Sequence, residues 1–258
     1  MSKKSYPPVW VSQNFLTGAK TIKRLIRKAG ITIDDHVIEI GPGKGHITGV
    51  LLQHCNKVSA IEIDKNLYDR LHIKYEAMGK LKLYHQDFLK WKLPAAGAYK
   101  VFANIPFCRT TDIIRKLTQA SNPPTEAWLT MEKGAAKRFM GIPRESAQSL
   151  AIKPLFDMCI VYHFAREDFH PMPGTDVVMV HIKRKTKSDI EVRELRRYQH
   201  FITSATRDNG TGLSRLFTKK QFSKARKLAG ITDQISGEIL YIQWLCLFRC
   251  YTSYVNHR

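Results

Sequence analysis

No stretch of about 18 consecutive apolar residues occurs in this 258-residue chain, so no segment has the makings of a membrane-spanning helix. The opening Met1-Ser-Lys-Lys-Ser-Tyr-Pro-Pro8 lacks an apolar signal core, and no secretory leader is expected. Internal repeats and low-complexity tracts are absent, which argues against solenoids and linker-rich proteins. Cysteine is sparse and odd in number: Cys55, Cys108, Cys159, Cys246 and Cys250. None forms a C-x-x-C pair, and the ten histidines have no ligand spacing. That speaks against a zinc site and against a disulfide framework. No metal is expected, and reduced thiols point to a cytoplasmic protein. Acidic residues are also scarce, 22 against 42 Lys and Arg, for a net charge of +20 and a pI near 9.8. Such an excess implies a polyanionic partner, nucleic acid before membrane, with a merely soluble basic surface as the alternative. Residues 184–258 carry 15 Lys and Arg against 6 Asp and Glu, so the C-terminal part is the more basic per residue.

What the chain does have is one organising stretch, His36-Val-Ile-Glu-Ile-Gly-Pro-Gly-Lys-Gly-His46. Five mostly apolar residues lead into Gly41, Gly43 and Gly45, and a helical pattern follows. This reads as a buried strand, a tight glycine turn and a helix start. Glycine permits both positive φ and close backbone approach, and a helix N-terminus suits a polar or anionic ligand. The loop alone is equally compatible with a tight strand–helix turn. About twenty residues later a second strand, Lys57-Val-Ser-Ala-Ile-Glu-Ile-Asp64, ends in acids suited to a ribose diol. The E-x-G-x-G-x-G form, with Glu39 in the strand, looks more like the S-adenosylmethionine loop of methyltransferases than like a nicotinamide dinucleotide loop.

Along the chain, a basic arm (1–12) and Gln13-Asn-Phe-Leu16 precede a helix over 17–29, which can bring Gln13, Asn14 and Leu16 to the ligand pocket. Strands are predicted near 36–40, 57–64, 80–87, 99–105 and 126–131, with helices near 47–55, 66–78 and 111–120 between them. Helices near 133–140 and 146–156 come next, then strands at 157–163 and 177–182 with no helix between them. Alternation of this kind gives right-handed βαβ units and a doubly wound α/β sheet with a final antiparallel edge pair. Seven strands in this arrangement match the Rossmann-like sheet of class I S-adenosylmethionine-dependent methyltransferases. Beyond Lys183-Arg-Lys-Thr-Lys-Ser188 the pattern turns helical (190–207, 218–229, 236–254), with Asp208-Asn-Gly-Thr-Gly212 as a loop. The expected division is a catalytic domain over 1–183 and a small, basic, all-helical domain over 184–258.

Ligands bind at the carboxyl edge of such a sheet. Glu62, Asp87 and Asn104 end successive strands there. Singly, each reads as well as a turn former or helix cap; together with a glycine loop they form a constellation. Glu62 suits ribose hydroxyls, and Asp87 suits an adenine amino group. Asn104-Ile-Pro-Phe107 supplies a side-chain carbonyl, a backbone carbonyl and an aromatic ring. An aromatic amine is a poor nucleophile, and two acceptors on its hydrogens draw it toward tetrahedral geometry. Phe107 offers a stacking surface, worth about 1–3 kcal/mol per base. Phe169, in a Pro-containing loop, is expected to border the same pocket and to clamp a flipped or single-stranded base against Phe107.

Asn14-Phe-Leu16, the glycine loop, Glu62-Ile-Asp64, Gln86-Asp87, Asn104-Ile-Pro-Phe107 and Phe169-His-Pro-Met-Pro173 occur in the order of the rRNA adenine-N6 methyltransferase family, and the chain resembles that family over nearly its whole length. Thr111-Asp-Ile-Ile-Arg-Lys116 and Met131-Glu-Lys-Gly-Ala-Ala-Lys-Arg-Phe139 look more like Erm enzymes than like small-subunit dimethyladenosine transferases. The resemblance implies methyl transfer from S-adenosylmethionine to N6 of one adenine in 23S rRNA. It further implies resistance to macrolide, lincosamide and streptogramin B antibiotics. Cofactor contacts are implied at Asn14, Leu16, Gly41, Gly43, Gly45, Glu62, Ile63, Asp87, Phe88 and Asn104, and target-base chemistry at Asn104, Ile105, Pro106, Phe107 and Phe169. The family's aromatic after Asn-Ile-Pro is commonly tyrosine, so Phe107 keeps stacking but loses a hydroxyl. Arg109, Lys133, Lys137 and Arg138 are the expected RNA contacts, with Arg193, Arg196 and Arg197 as further candidates. A solvated surface charge is the plain alternative for each of these basic residues. The partner is expected to be 23S rRNA before ribosome assembly is complete, the protein a monomer. Two alternatives remain: a 16S rRNA dimethyltransferase, and a non-catalytic RNA-binding protein on the same scaffold.

Overall fold

A computed structural model describes residues 14–75, 77–207, 212–231 and 238–255. The basic arm, Gln13 and most of the loop expected at 208–212 lie outside the described residues. Seven strands form one sheet: β2 (His36–Ile40), β3 (Lys57–Glu62), β4 (Leu81–His85), β5 (Lys100–Asn104), β6 (Glu126–Glu132), β7 (Phe156–His163) and β9 (Val177–Arg184). Their order is β4-β3-β2-β5-β6-β9-β7. β4, β3, β2, β5 and β6 are parallel neighbours, and β9 runs antiparallel to β6. α1 (Ala19–Lys28) precedes β2, and the helical crossovers run through α2 (His46–His54) from β2 to β3, α3 (Lys65–Tyr75) from β3 to β4, and α4 (Thr110–Thr118) from β5 to β6. The order reverses between β2 and β5, so the carboxyl ends of β2 and β5 diverge there and leave a crevice.

The central strands are apolar in nearly every position, as strands covered on both faces must be. Val37, Ile38, Val58, Ala60, Val101, Phe102 and Leu129 are all buried. α1 turns Ile22, Leu25 and Ile26 inward and its Lys and Arg residues outward. A two-stranded ribbon that the sequence reading did not anticipate joins β1 (Phe15–Leu16) to β8 (Phe169–His170), with Leu16 opposite Phe169. Two-residue strands are too short to produce a periodic signal.

The chain divides into two compact units, residues 1–136 with 158–184, and residues 137–157 with 185–258. A single cut after residue 183 therefore does not describe the packing: the segment 137–157 groups with the helical end. Its Leu150 belongs to the same apolar cluster as Tyr198, Phe201, Trp244 and Phe248. The second unit is built from α6 (Ala147–Ile152), α7 (Leu195–Ala205), α8 (Gly212–Arg215), α9 (Lys219–Leu228) and α10 (Tyr241–Val255), and α5 (Lys133–Met140) spans the division. No helix among the described residues is long and apolar enough to cross a membrane.

Glu39 is the one acid inside the central strand, 1% exposed, and its Oε2 accepts a 2.7 Å hydrogen bond from the Thr48 hydroxyl of α2. Burial, opposed by that bond and reinforced by the nearby Glu62, pushes its carboxyl up to about 8. An unfolded glutamate ionises near 4.3. Between these values the folded chain holds the extra proton, so the fold loses stability as pH rises from about 4.5 to 8. Glu39→Gln should remove that loss. Its melting temperature should exceed the parent's by ~5 °C at pH 8 and by far less at pH 5. A difference that is the same at both pH values would contradict a proton retained on Glu39.

Candidate active site

The glycine turn sits at the end of β2, and Gly41, Gly43 and Gly45 all have positive φ (63°, 58° and 78°). At Gly43 a side chain is barred twice over, because a Cβ would come within 2.7 Å of the Phe15 ring. Gly45 is the left-handed residue that starts α2, and it packs against Leu71 and Tyr75. The turn is held by Glu62 at the end of β3. Its Oε2 accepts from the Gly43 N–H and its Oε1 from the Asp64 N–H, each at 2.9 Å. Glu62 is 2% exposed. Burial raises its carboxyl above the ordinary range, and the backbone N–H groups of Asp64, Gly43 and Ile63 work against that rise. Each carboxylate oxygen keeps a second lone pair for a further donor.

A cavity of about 100 Å³, open at its mouth, lies over this edge. Asn14, Gly41, Gly43, Glu62, Ile63, Asp87, Phe88, Asn104, Ile105, Pro106, Phe107 and Arg109 all line it. Gly45 does not, because it belongs to the helix start behind the turn. Asp87 follows β4 and shapes its own turn: Oδ1 accepts from the Leu89 N–H at 2.8 Å, and its carbonyl accepts from the Lys90 and Trp91 N–H groups. Phe88 is buried while Ile63 is 45% exposed, so the cavity has an apolar wall on either side of that carboxylate.

Asn104 ends β5. Its Nδ2 donates a 2.7 Å hydrogen bond to the Asn14 carbonyl. That bond assigns the amide orientation, and Oδ1, also buried, has no hydrogen-bond partner among the described residues. A buried amide oxygen without a donor costs about 1–3 kcal/mol, which a ligand N–H would recover. Pro106 and Phe107 then lead through a single 3₁₀ turn into α4, with the Pro106 carbonyl accepting from the Arg109 N–H. Phe107 stays half-buried on the cavity wall, packed on the core from one side.

Two sequence expectations need correction. Leu16 and Phe169 are 2% and 3% exposed, share the core cluster and are not among the residues lining the cavity. Phe169 packs edge-on against Phe164, with ring centroids 5.2 Å apart. Side chains alternate along a strand, so with Leu16 turned inward it is Phe15 that faces the cavity and lies over Gly43. Phe15, Leu89 and Ile113 also line the cavity and are not expected from the sequence, Phe15 because a two-residue strand carries no periodic signal. Asp168 anchors the ribbon: its carbonyl accepts from the Thr17 N–H at 2.9 Å and its Oδ1 from the Thr21 hydroxyl at 3.1 Å.

The basic candidates separate. Arg109 lines the cavity, 3.9 Å from the Asp112 carboxylate. Lys133 pairs with Asp176 at 3.1 Å, so part of its charge is already neutralised. Lys137 and Arg138 follow on α5 in the second unit, where the Arg138 guanidinium lies 5.6 Å from the Phe139 ring centroid. In the same unit Arg193 pairs with Glu191, Arg197 lies over Tyr251, and Arg196 is exposed.

These residues fit an adenosyl cofactor. The buried Glu62 and the half-buried Asp87 line the cavity with acceptors for hydroxyl and amino donors, and Gly41 leaves the backbone open beside them. Comparison with known proteins agrees. Residues 9–241 match the family model described as ribosomal RNA adenine dimethylase. An rRNA adenine N-6-methyltransferase of Limosilactobacillus reuteri is 35% identical over 240 residues, covering 93% of this chain and 95% of the relative. One from Lysinibacillus sphaericus is 34% identical over the same coverage. Among solved structures, the 23S rRNA methyltransferase ErmE aligns with a TM-score of 0.80 at 26% identity, over 93% of this chain and 100% of that one. A dimethyladenosine transferase from Plasmodium falciparum shares the fold, with a TM-score of 0.77 at 20% identity over 93% and 97% of the two chains. With the cavity, the glycine turn and the Asn104 amide arranged as above, the chain belongs to the ribosomal RNA adenine dimethylase family, as an S-adenosylmethionine-dependent rRNA adenine N6-methyltransferase.

Proposed function

We propose that the substrate is one adenine of 23S rRNA, methylated before ribosome assembly is complete by a monomeric, cytoplasmic enzyme, and that the product confers macrolide, lincosamide and streptogramin B resistance. The observation that carries the chemistry is the unpartnered Asn104 Oδ1 at the cavity, its orientation set by the Asn14 carbonyl. The likeness to ErmE, a 23S rRNA methyltransferase, supports the choice of RNA.

S-adenosylmethionine supplies a methyl group on a sulfonium, the carbon that the adenine N6 attacks as the carbon–sulfur bond breaks. Glu62 accepts from the ribose hydroxyls with the lone pairs not engaged by Gly43 and Asp64, and Asp87 accepts from the cofactor's adenine amino group. Ile63 and Phe88 hold the cofactor's adenine ring, and Asn14 with Gly41 and Gly43 borders the rest of it. At the substrate, Asn104 Oδ1 accepts one N6 hydrogen. The Ile105 carbonyl accepts the other, the Pro106 and Phe107 carbonyls being engaged within the turn. Two acceptors on one amine pull its lone pair out of the ring and aim it. Pro106 fixes the turn, and Phe107 stacks on the target base. Positioning does most of the catalysis. The amine proton leaves to water once the nitrogen is cationic. Arg109, Lys133, Lys137 and Arg138 contribute phosphate contacts that position the RNA without reading its sequence. The second unit, residues 137–157 with 185–258, adds its own basic residues to this hold.

Asn104→Ala should lower turnover by about 10³-fold or more while S-adenosylmethionine affinity changes only a few-fold; unchanged turnover would remove this account of the amine. Phe107→Ala should harm activity far more than Phe107→Tyr, and equal loss in both would argue against stacking. Labelled methyl from S-adenosylmethionine should enter one adenine of protein-free 23S rRNA. Label in 16S rRNA instead would move the enzyme to small-subunit substrates, and salt-sensitive binding without label in either would favour a non-catalytic RNA binder.

A further inference from the structure

Lys116 lies on α4, twelve residues after Asn104, and the mechanism above does not use it. Its half-buried ammonium donates to the carbonyl oxygens of Phe88 at 2.7 Å and Leu89 at 3.0 Å, and also to that of Trp91. The nitrogen stands 5.0 Å from the Phe88 ring centroid. A lysine ammonium has three donors and no acceptor, and here three carbonyls of one turn take all three. Those carbonyls are the far side of the turn that Asp87 organises from the other end. Asp87 binds the Leu89 N–H with its carboxylate and the Lys90 and Trp91 N–H groups with its carbonyl. The turn is thus closed at both ends, by a carboxylate on its N–H groups and a cation on its carbonyls, which is how charges stabilise a short helical turn. Ile113, three residues before Lys116 on α4, lines the cavity itself.

We propose that Lys116 is a positioning residue for cofactor recognition: by gathering the carbonyls of Phe88, Leu89 and Trp91 it sets the Asp87 carboxylate and the Phe88 ring against adenine, and it ties that turn to the helix that follows the Asn104 motif. This rests on the assignment of Asp87 and Phe88 to the cofactor's adenine. Burial lowers the basicity of Lys116, and the Asp87 charge opposes that fall. All three donors being spent inside the protein, Lys116 is not one of the RNA contacts, despite its place in a basic helix. Arginine is a poor substitute, since a planar fork cannot converge on three carbonyls as a tetrahedral ammonium does.

The test compares S-adenosylhomocysteine with its analogue lacking the adenine amino group, binding each to the full chain well below its melting temperature. The variants are Lys116→Met, Lys116→Gln and Asp87→Asn. Lys116→Met should weaken S-adenosylhomocysteine about tenfold, the order of one lost charged hydrogen bond. It should weaken the amino-free analogue much less, so that discrimination between the two shrinks, while the KM for RNA stays within twofold. Lys116→Gln, which keeps two donors, should fall between Met and the parent. Equal weakening of both ligands by the lysine variants, with discrimination intact, would mean that Lys116 only supports the fold and would overturn the proposal. Discrimination lost in Asp87→Asn but kept in the lysine variants would overturn the proposal while leaving the adenine assignment standing. Discrimination kept in Asp87→Asn would remove the adenine assignment, and the proposal with it.

Discussion

A carboxylate buried at the end of a strand holds the glycine turn, and the site is built outward from it. Glu62 takes the Gly43 N–H on one oxygen and the Asp64 N–H on the other, at 2.9 Å each. The two peptides belong to consecutive βα connections, so one side chain sets the relation between the turn after β2 and the turn after β3. The cost of keeping that charge out of water is offset in part by backbone N–H groups, and burial still raises the carboxyl. Backbone donors are fixed in place and do not compete with a ligand for the carboxylate's remaining lone pairs. An acid that needed an arginine would bring a bulky side chain into the cavity. Here the partner groups are peptide N–H groups, one of them on Gly43, where the absence of a side chain lets the Phe15 ring come close.

The same economy recurs along the sheet edge. The Asp87 turn is closed by its own carboxylate, and the Asn104 amide is oriented by the Asn14 carbonyl at the start of the described chain. That last bond ties the residue preceding the N-terminal ribbon to the cavity wall. β1 is held by β8 and by the contacts of Asp168 with Thr17 and Thr21, and Phe15 rests on Gly43. A disturbance of the ribbon therefore reaches both the glycine turn and the amide oxygen, although neither Leu16 nor Phe169 borders the cavity.

The central parallel strands were legible in the sequence because both of their faces are covered, so that each is a short, mostly apolar run bounded by turn residues. Glu62, Asp87 and Asn104 were legible for a related reason: polar residues that end such runs fall at the ligand-binding edge. What escaped was set by partners far away in sequence. Leu16 and Phe169 read as site residues from their motifs, but pairing across more than 150 positions turns both into the core and leaves Phe15 facing the cavity. Lys133 read as a free cation until its proximity to Asp176 was visible. The segment 137–157 falls between β6 and β7 in sequence yet packs with the helical end, because its apolar residues find their partners there. Local pattern carries no information about such choices.

The most direct test of the central claim is a crystal structure with S-adenosylhomocysteine bound. The account predicts the ribose hydroxyls donating to Glu62 while its bonds to Gly43 and Asp64 persist, the adenine amino group donating to Asp87, and Asn104 Oδ1 left facing open space beside the sulfur. A cofactor bound with its ribose away from Glu62, or an Asn104 amide turned so that its nitrogen faces the sulfur, would contradict it.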